Sequence, residues 1–128
     1  MSTEFTAKFI HAESEGETRT VGLADDQFET RRYVLFQRTL NPSNRDRQLG
    51  QDQLHVTIDD QSRSTYGGVE RLLLKINVLT VQLNREAAAA LKTEQDIVIQ
   101  IAPGAGDVNQ LAAALREVAP ASFEDGRS

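Results

Sequence analysis

The stretch VGLADDQFETRRYVLFQR, residues 21–38, decides how this chain is read. Val21-Gly22-Leu23-Ala24 is a short apolar run, Asp25-Asp26 with Glu29 makes an acidic turn, and Tyr33-Val34-Leu35-Phe36 returns as a second apolar run. Two such runs around a polar turn predict strand, loop and strand, over 19–24 and 32–40. The same logic works outward. Upstream, Phe5, Ala7 and Phe9 alternate with Thr6, Lys8 and Ile10, which predicts one more strand. Glu15-Gly16-Glu17 supplies the hairpin turn behind it, with Gly16 able to take positive φ. Downstream, Asn41-Pro42-Ser43-Asn44 ends the third strand, because proline cannot donate to a ladder.

Residues 45–53 are polar and mixed in charge, and read as a surface loop. Leu54, Val56 and Ile58 alternate with His55 and Thr57, so 54–58 is a strand with those apolar residues inward. Residues 59–65 read as loop. The runs 69–75 and 78–83 form a hairpin pivoting at Ile76-Asn77. Helices enter only in the second half. Asn84 caps an alanine-rich helix over 85–91. A strongly apolar strand, 97–101, stops at Pro103-Gly104. Asp107 caps a helix over 108–118, whose Val108, Leu111, Ala112, Leu115 and Val118 share one face. Pro120 ends it, and 122–128 reads as a flexible tail. The expected class is α+β: one domain over 1–128 with its core at 5–118, and a mostly antiparallel sheet of about seven strands. One short and one longer helix in the C-terminal half cover one face.

Composition narrows the function. The chain has 128 residues, 39% hydrophobic and 26% charged, as in a globular domain. Its net charge of −5 argues against a nucleic-acid binder, which normally carries a basic patch, and against adsorption to anionic lipid. There is no cysteine, so disulfides, thiolate metal sites and a cysteine nucleophile are excluded. No basic-then-apolar leader and no apolar run of roughly 18 residues is present, and a cytoplasmic location is expected.

Few residues look arranged around chemistry. Asp25, Asp26 and Glu29 could form a paired-carboxylate acid/base site, but the sequence offers no pocket or second group to complete one. They lack the ligand spacing of a calcium loop. The favoured readings are a solvated hairpin loop or a protein contact, with catalysis or a metal a distant third. His11 and His55 sit in strands with no nucleophile identified nearby, as surface or sheet-edge histidines do. Pro103-Gly104-Ala105-Gly106-Asp107 lacks the spacing of a phosphate cradle. Tyr66-Gly67-Gly68 precedes a strand, where two glycines permit positive φ or a close backbone approach. Tyr66 either packs under that turn or stands exposed as an aromatic anchor, with Glu70 just beyond. No cofactor or metal is expected. The contact candidates are Asp25, Asp26, Glu29, Tyr66 and Glu70.

The order of several short blocks adds a resemblance. Phe5-Thr6-Ala7, then Val21-Gly22-Leu23-Ala24-Asp25-Asp26, then Tyr33 through Gln37-Arg38, then Tyr66-Gly67-Gly68-Val69-Glu70 and Ala87-Ala88-Ala89-Ala90-Leu91 are together similar to the immunity protein 10 family of bacterial polymorphic toxin systems. The resemblance implies a non-enzymatic antidote that binds a cognate toxin in the cytoplasm and blocks its active site or substrate access. An acidic inhibitor suits a basic toxin such as a nuclease, because complementary potentials speed association. Two rivals stand beside it: a binding or regulatory module with no toxin partner, and a small enzyme using the carboxylates. Monomer and homodimer are both compatible with open sheet edges.

Overall fold

The computed structural model describes residues 3–26, 28, 31–41, 43–49 and 53–127. Its elements run β1 (Thr3–Ala7), β2 (Phe9–Glu15), β3 (Thr18–Ala24), β4 (Tyr33–Thr39), α1 (Asn44–Gln48), β5 (His55–Ile58) and β6 (Asp60–Tyr66). They continue with β7 (Val69–Leu74), β8 (Val78–Leu83), α2 (Arg85–Leu91), β9 (Asp96–Ile101), α3 (Val108–Val118) and β10 (Phe123–Asp125). The class is α+β. The described strands number ten rather than about seven, and they form two five-stranded sheets rather than one. One sheet is a plain antiparallel meander, β2-β3-β4-β5-β6. The other, β1-β9-β8-β7-β10, is antiparallel at its centre and parallel at both edges.

Each departure from the sequence reading has a physical source. The expected first strand is two strands in different sheets, because the chain breaks at Lys8 while its apolar alternation continues unbroken. Residues expected as loop form β6, an edge strand whose polar sequence DQSRSTY carries no inward apolar signal. Within the expected surface loop lies α1, five residues with no apolar stripe. At the expected tail, β10 lies parallel to β7, a pairing set by distant residues. Arg127 and Arg116 reach the Asp125 carboxylate at 2.8 and 3.1 Å. Hydrogen bonds from Arg127, reinforced by the charge of Arg116, hold that carboxyl well below its usual range.

Alternation builds the core. Val21 and Leu23 of β3, Val34 and Phe36 of β4, and Val56 and Ile58 of β5 are all buried. They join Leu72, Leu79, Val81 and Ile99 of the second sheet in one cluster. The α3 stripe Leu111, Ala112, Leu115 and Val118 completes it. Both main helices begin as the sequence requires: Asn84 Oδ1 accepts from the Ala87 N–H at 2.8 Å, and Asp107 Oδ1 from Asn109 N–H at 2.8 Å. The C-terminus of α2 is closed from β6, where Arg63 donates to the carbonyls of Leu91 and Lys92 at 2.8 and 3.0 Å. Those are two of the carbonyls that a helix end leaves without internal partners. No helix among the described residues is long and apolar enough to cross a membrane.

Candidate partner-binding surface

Successive side chains of a strand point to opposite faces, so burial of one parity assigns the other to the far side. With Val21, Leu23, Val34, Phe36, Val56 and Ile58 inward, the register aligns the remaining residues of the meander in cross-strand rows. The first row is Phe9, Ala24 and Tyr33. The second is His11, Gly22, Leu35, Thr57 and Ser64. The third is Glu13, Thr20, Gln37, His55 and Tyr66.

Several of these residues touch one another across the face. The Phe9 and His11 rings stack with centroids 6.2 Å apart, and His11 Nε2 lies 3.0 Å from Glu13 Oε2. The Tyr66 ring rests on His55 at 4.6 Å. Helix α3 lies against the opposite face, where its Glu117 meets inward-parity Arg19 at 3.0 Å and its apolar stripe enters the core. Apart from Thr57, the residues of the outward rows are partly or fully exposed. Thr57, between Leu35 and Ser64 in the second row, is buried, to 4% exposure. Gly22 lacks a side chain between His11 and Leu35; a Cβ there would stand 3.3 Å from Leu35 Cδ1. The result is a shallow, largely apolar groove of about 330 Å³ lined by Phe9, His11, Gly22, Tyr33 and Leu35. A smaller recess of about 160 Å³ opens beside His55 and Tyr66, bordered by Thr18, Gln37, Arg38 and Gln53.

The expected contact residues do not converge. Asp25 and Asp26 follow β3 at the end of the meander away from Tyr66. Their carboxylates hold the turn itself: Asp25 Oδ1 accepts from the Arg31 N–H at 3.0 Å, and Asp26 Oδ1 from the Phe28 N–H at 2.9 Å. Burial and the Asp26 charge push the Asp25 carboxyl up, but hydrogen bonds from the Arg31 and Arg32 backbone outweigh them and lower it. A carboxyl kept ionised in this way is the reverse of what a general acid needs. Glu70 lies in the other sheet, exposed, where the β7–β8 register slips between Val69 and Arg71. Glu29 lies outside the described residues. Tyr66 is 45% exposed against His55 and does not pack beneath its turn. Nothing in the sequence singles out Phe9, Leu35, Gly22 or either histidine as part of a surface. Phe28, at the acidic turn, is 86% exposed. Among the described residues, no group of three or more His, Asp or Glu is placed to hold a metal ion.

His55 gives this face a pH response. Burial disfavours the charged imidazole and lowers its pKa from 6.5. The unfolded chain then binds the proton more readily than the folded one. The stability associated with His55 is complete above about pH 6.5 and declines as pH falls through the window below it. Urea midpoints at pH 7.5 and 5.0 should therefore differ less in His55→Gln than in the wild type. An unchanged difference would show that His55 titrates normally.

The family model for immunity protein 10 matches residues 6–109, from within β1 to the first turn of α3, and so includes the whole meander. No curated protein matches the chain. By this match, which spans most of its length, the chain belongs to the immunity protein 10 family.

Proposed function

We propose that this protein is a cytoplasmic antidote: it binds the toxin domain encoded beside it and blocks that toxin stoichiometrically, with no catalysis of its own. Membership of the immunity family is the observation that carries the reading. The surface agrees with it. An aromatic and aliphatic sheet face left open to solvent is the composition found at interface centres, where charge is depleted and Tyr and Phe are enriched. Of the positions expected to touch the toxin, Tyr66 belongs to that face, and Asp25 and Asp26 border its end; Glu70 would serve only a partner that also reached the second sheet. The net charge of −5 favours fast association with a basic toxin such as a nuclease. Titrating the purified toxin domain's activity with the purified chain tests the proposal. Activity should vanish near one equivalent, and full activity at large excess would refute it.

A further inference from the structure

The outward face of the meander has an unusual charge pattern. None of its three rows contains a lysine or arginine. Gly22 and Leu35 lie at the middle of the face, Phe9 and Tyr33 flank their groove in the first row, Tyr66 stands on the far edge strand, and the charged members at the β2 border are carboxylates, Glu13 and beyond it Glu15. Asp25 and Asp26 add negative charge at the end of the first row. Arg38, of inward parity, borders the small recess by Tyr66 and a second one beside Val69 and Val118, and Arg31 stands exposed beside Asp25 at the acidic turn.

We propose that this face is the toxin-docking surface, shaped for a protein surface that seats an apolar side chain in the Gly22 groove and surrounds it with lysines or arginines. The proposal rests on the antidote reading above and specifies where that antidote acts. Charge complementarity selects the occupant. A basic rim would meet Glu13, Glu15, Asp25 and Asp26 around a desolvated centre, the arrangement in which a few central residues carry most of the affinity. A second copy of this chain fits poorly, since the carboxylates of the β2 border would meet a face whose three rows hold no lysine or arginine to set against them.

Calorimetric titration of the neighbouring toxin domain into the purified chain, at two salt concentrations, tests the assignment. Leu35→Arg, which puts charge and bulk into the groove, should weaken binding at least 100-fold, and Tyr66→Ala about tenfold. Ile76→Arg, at the 69%-exposed β7–β8 turn of the other sheet, should bind as the wild type does. Thermal unfolding checks that each variant is folded, and Thr20→Arg in the third row replaces Leu35→Arg if that chain fails to fold. Wild-type affinity should fall as salt rises. If the wild type binds and these face variants bind equally well, the docking surface lies elsewhere while the antidote reading stands. If the wild type does not bind at all, the antidote reading fails and takes this assignment with it. A wild-type dimer that Leu35→Arg dissociates would show that a second copy covers the face, and would overturn the proposal.

Discussion

Phe36→Ala should destabilise the protein by about 3–5 kcal/mol, whereas Leu35→Ala, one residue earlier, should cost about 1 kcal/mol. The two side chains differ mainly in the direction their shared strand sends them. Phe36 is fully buried, with Val21 and Val56 as its cross-strand partners on the inner face. Its removal costs the transfer of a whole aromatic ring and leaves a cavity that strands on both sides resist closing. Leu35 faces outward over Gly22 and retains exposure to solvent. Urea denaturation of both variants measures the contrast. Equal losses would mean that the outward face is covered and that the strand parity is misassigned. A loss of the size expected for Phe36 is a large share of the 5–15 kcal/mol that ordinarily separates folded from unfolded domains.

Gly68→Ala should cost about 2–4 kcal/mol, against about 1 kcal/mol for Gly104→Ala. Both glycines have left-handed backbones, at φ +82° and +84°. Only Gly68 is also crowded. A Cβ there would lie 2.5 Å from Ala87 Cβ and 3.0 Å from Asn84 Oδ1, whereas one at Gly104 would meet nothing within 4 Å. The Gly68 carbonyl also accepts the Asn84 N–H at 2.9 Å, so the β6–β7 turn is joined to the N-terminus of α2 at its cap. A side chain at 68 must push back either that helix or the turn. The difference between the two variants isolates the packing contribution from the cost of the left-handed backbone, and thermal melts would give it directly. Equal losses would place α2 farther from the turn.

Much of the fold was legible because local rules act alone where apolar alternation or a cap residue is strong. The strands at 19–24, 32–40 and 97–101, the hairpin at Ile76-Asn77 and both capped helices are cases of that kind. The misses share a cause. β6 and β10 owe their strand character to partners, β6 to β5 and to α2 through Arg63, and β10 to β7, so their own residues carry little signal. The change of sheet at Lys8 is invisible to a period-two pattern, which reports facing and not neighbours.

The candidate surface was hidden for a related reason. Tyr33-Val34-Leu35-Phe36 is apolar at both parities, so the sequence does not show which pair enters the core. That becomes decidable only when α3 is seen against one face of the meander. The acidic turn stood out in the sequence by its composition, yet its aspartates are largely occupied in closing their own loop.

If this chain silences a toxin by occupying it, titrating the activity of the purified toxin domain with the folded chain reads that out directly. Activity should fall linearly to zero at an equimolar ratio. Undiminished activity at tenfold excess of folded chain would mean that the chain does not occupy the toxin.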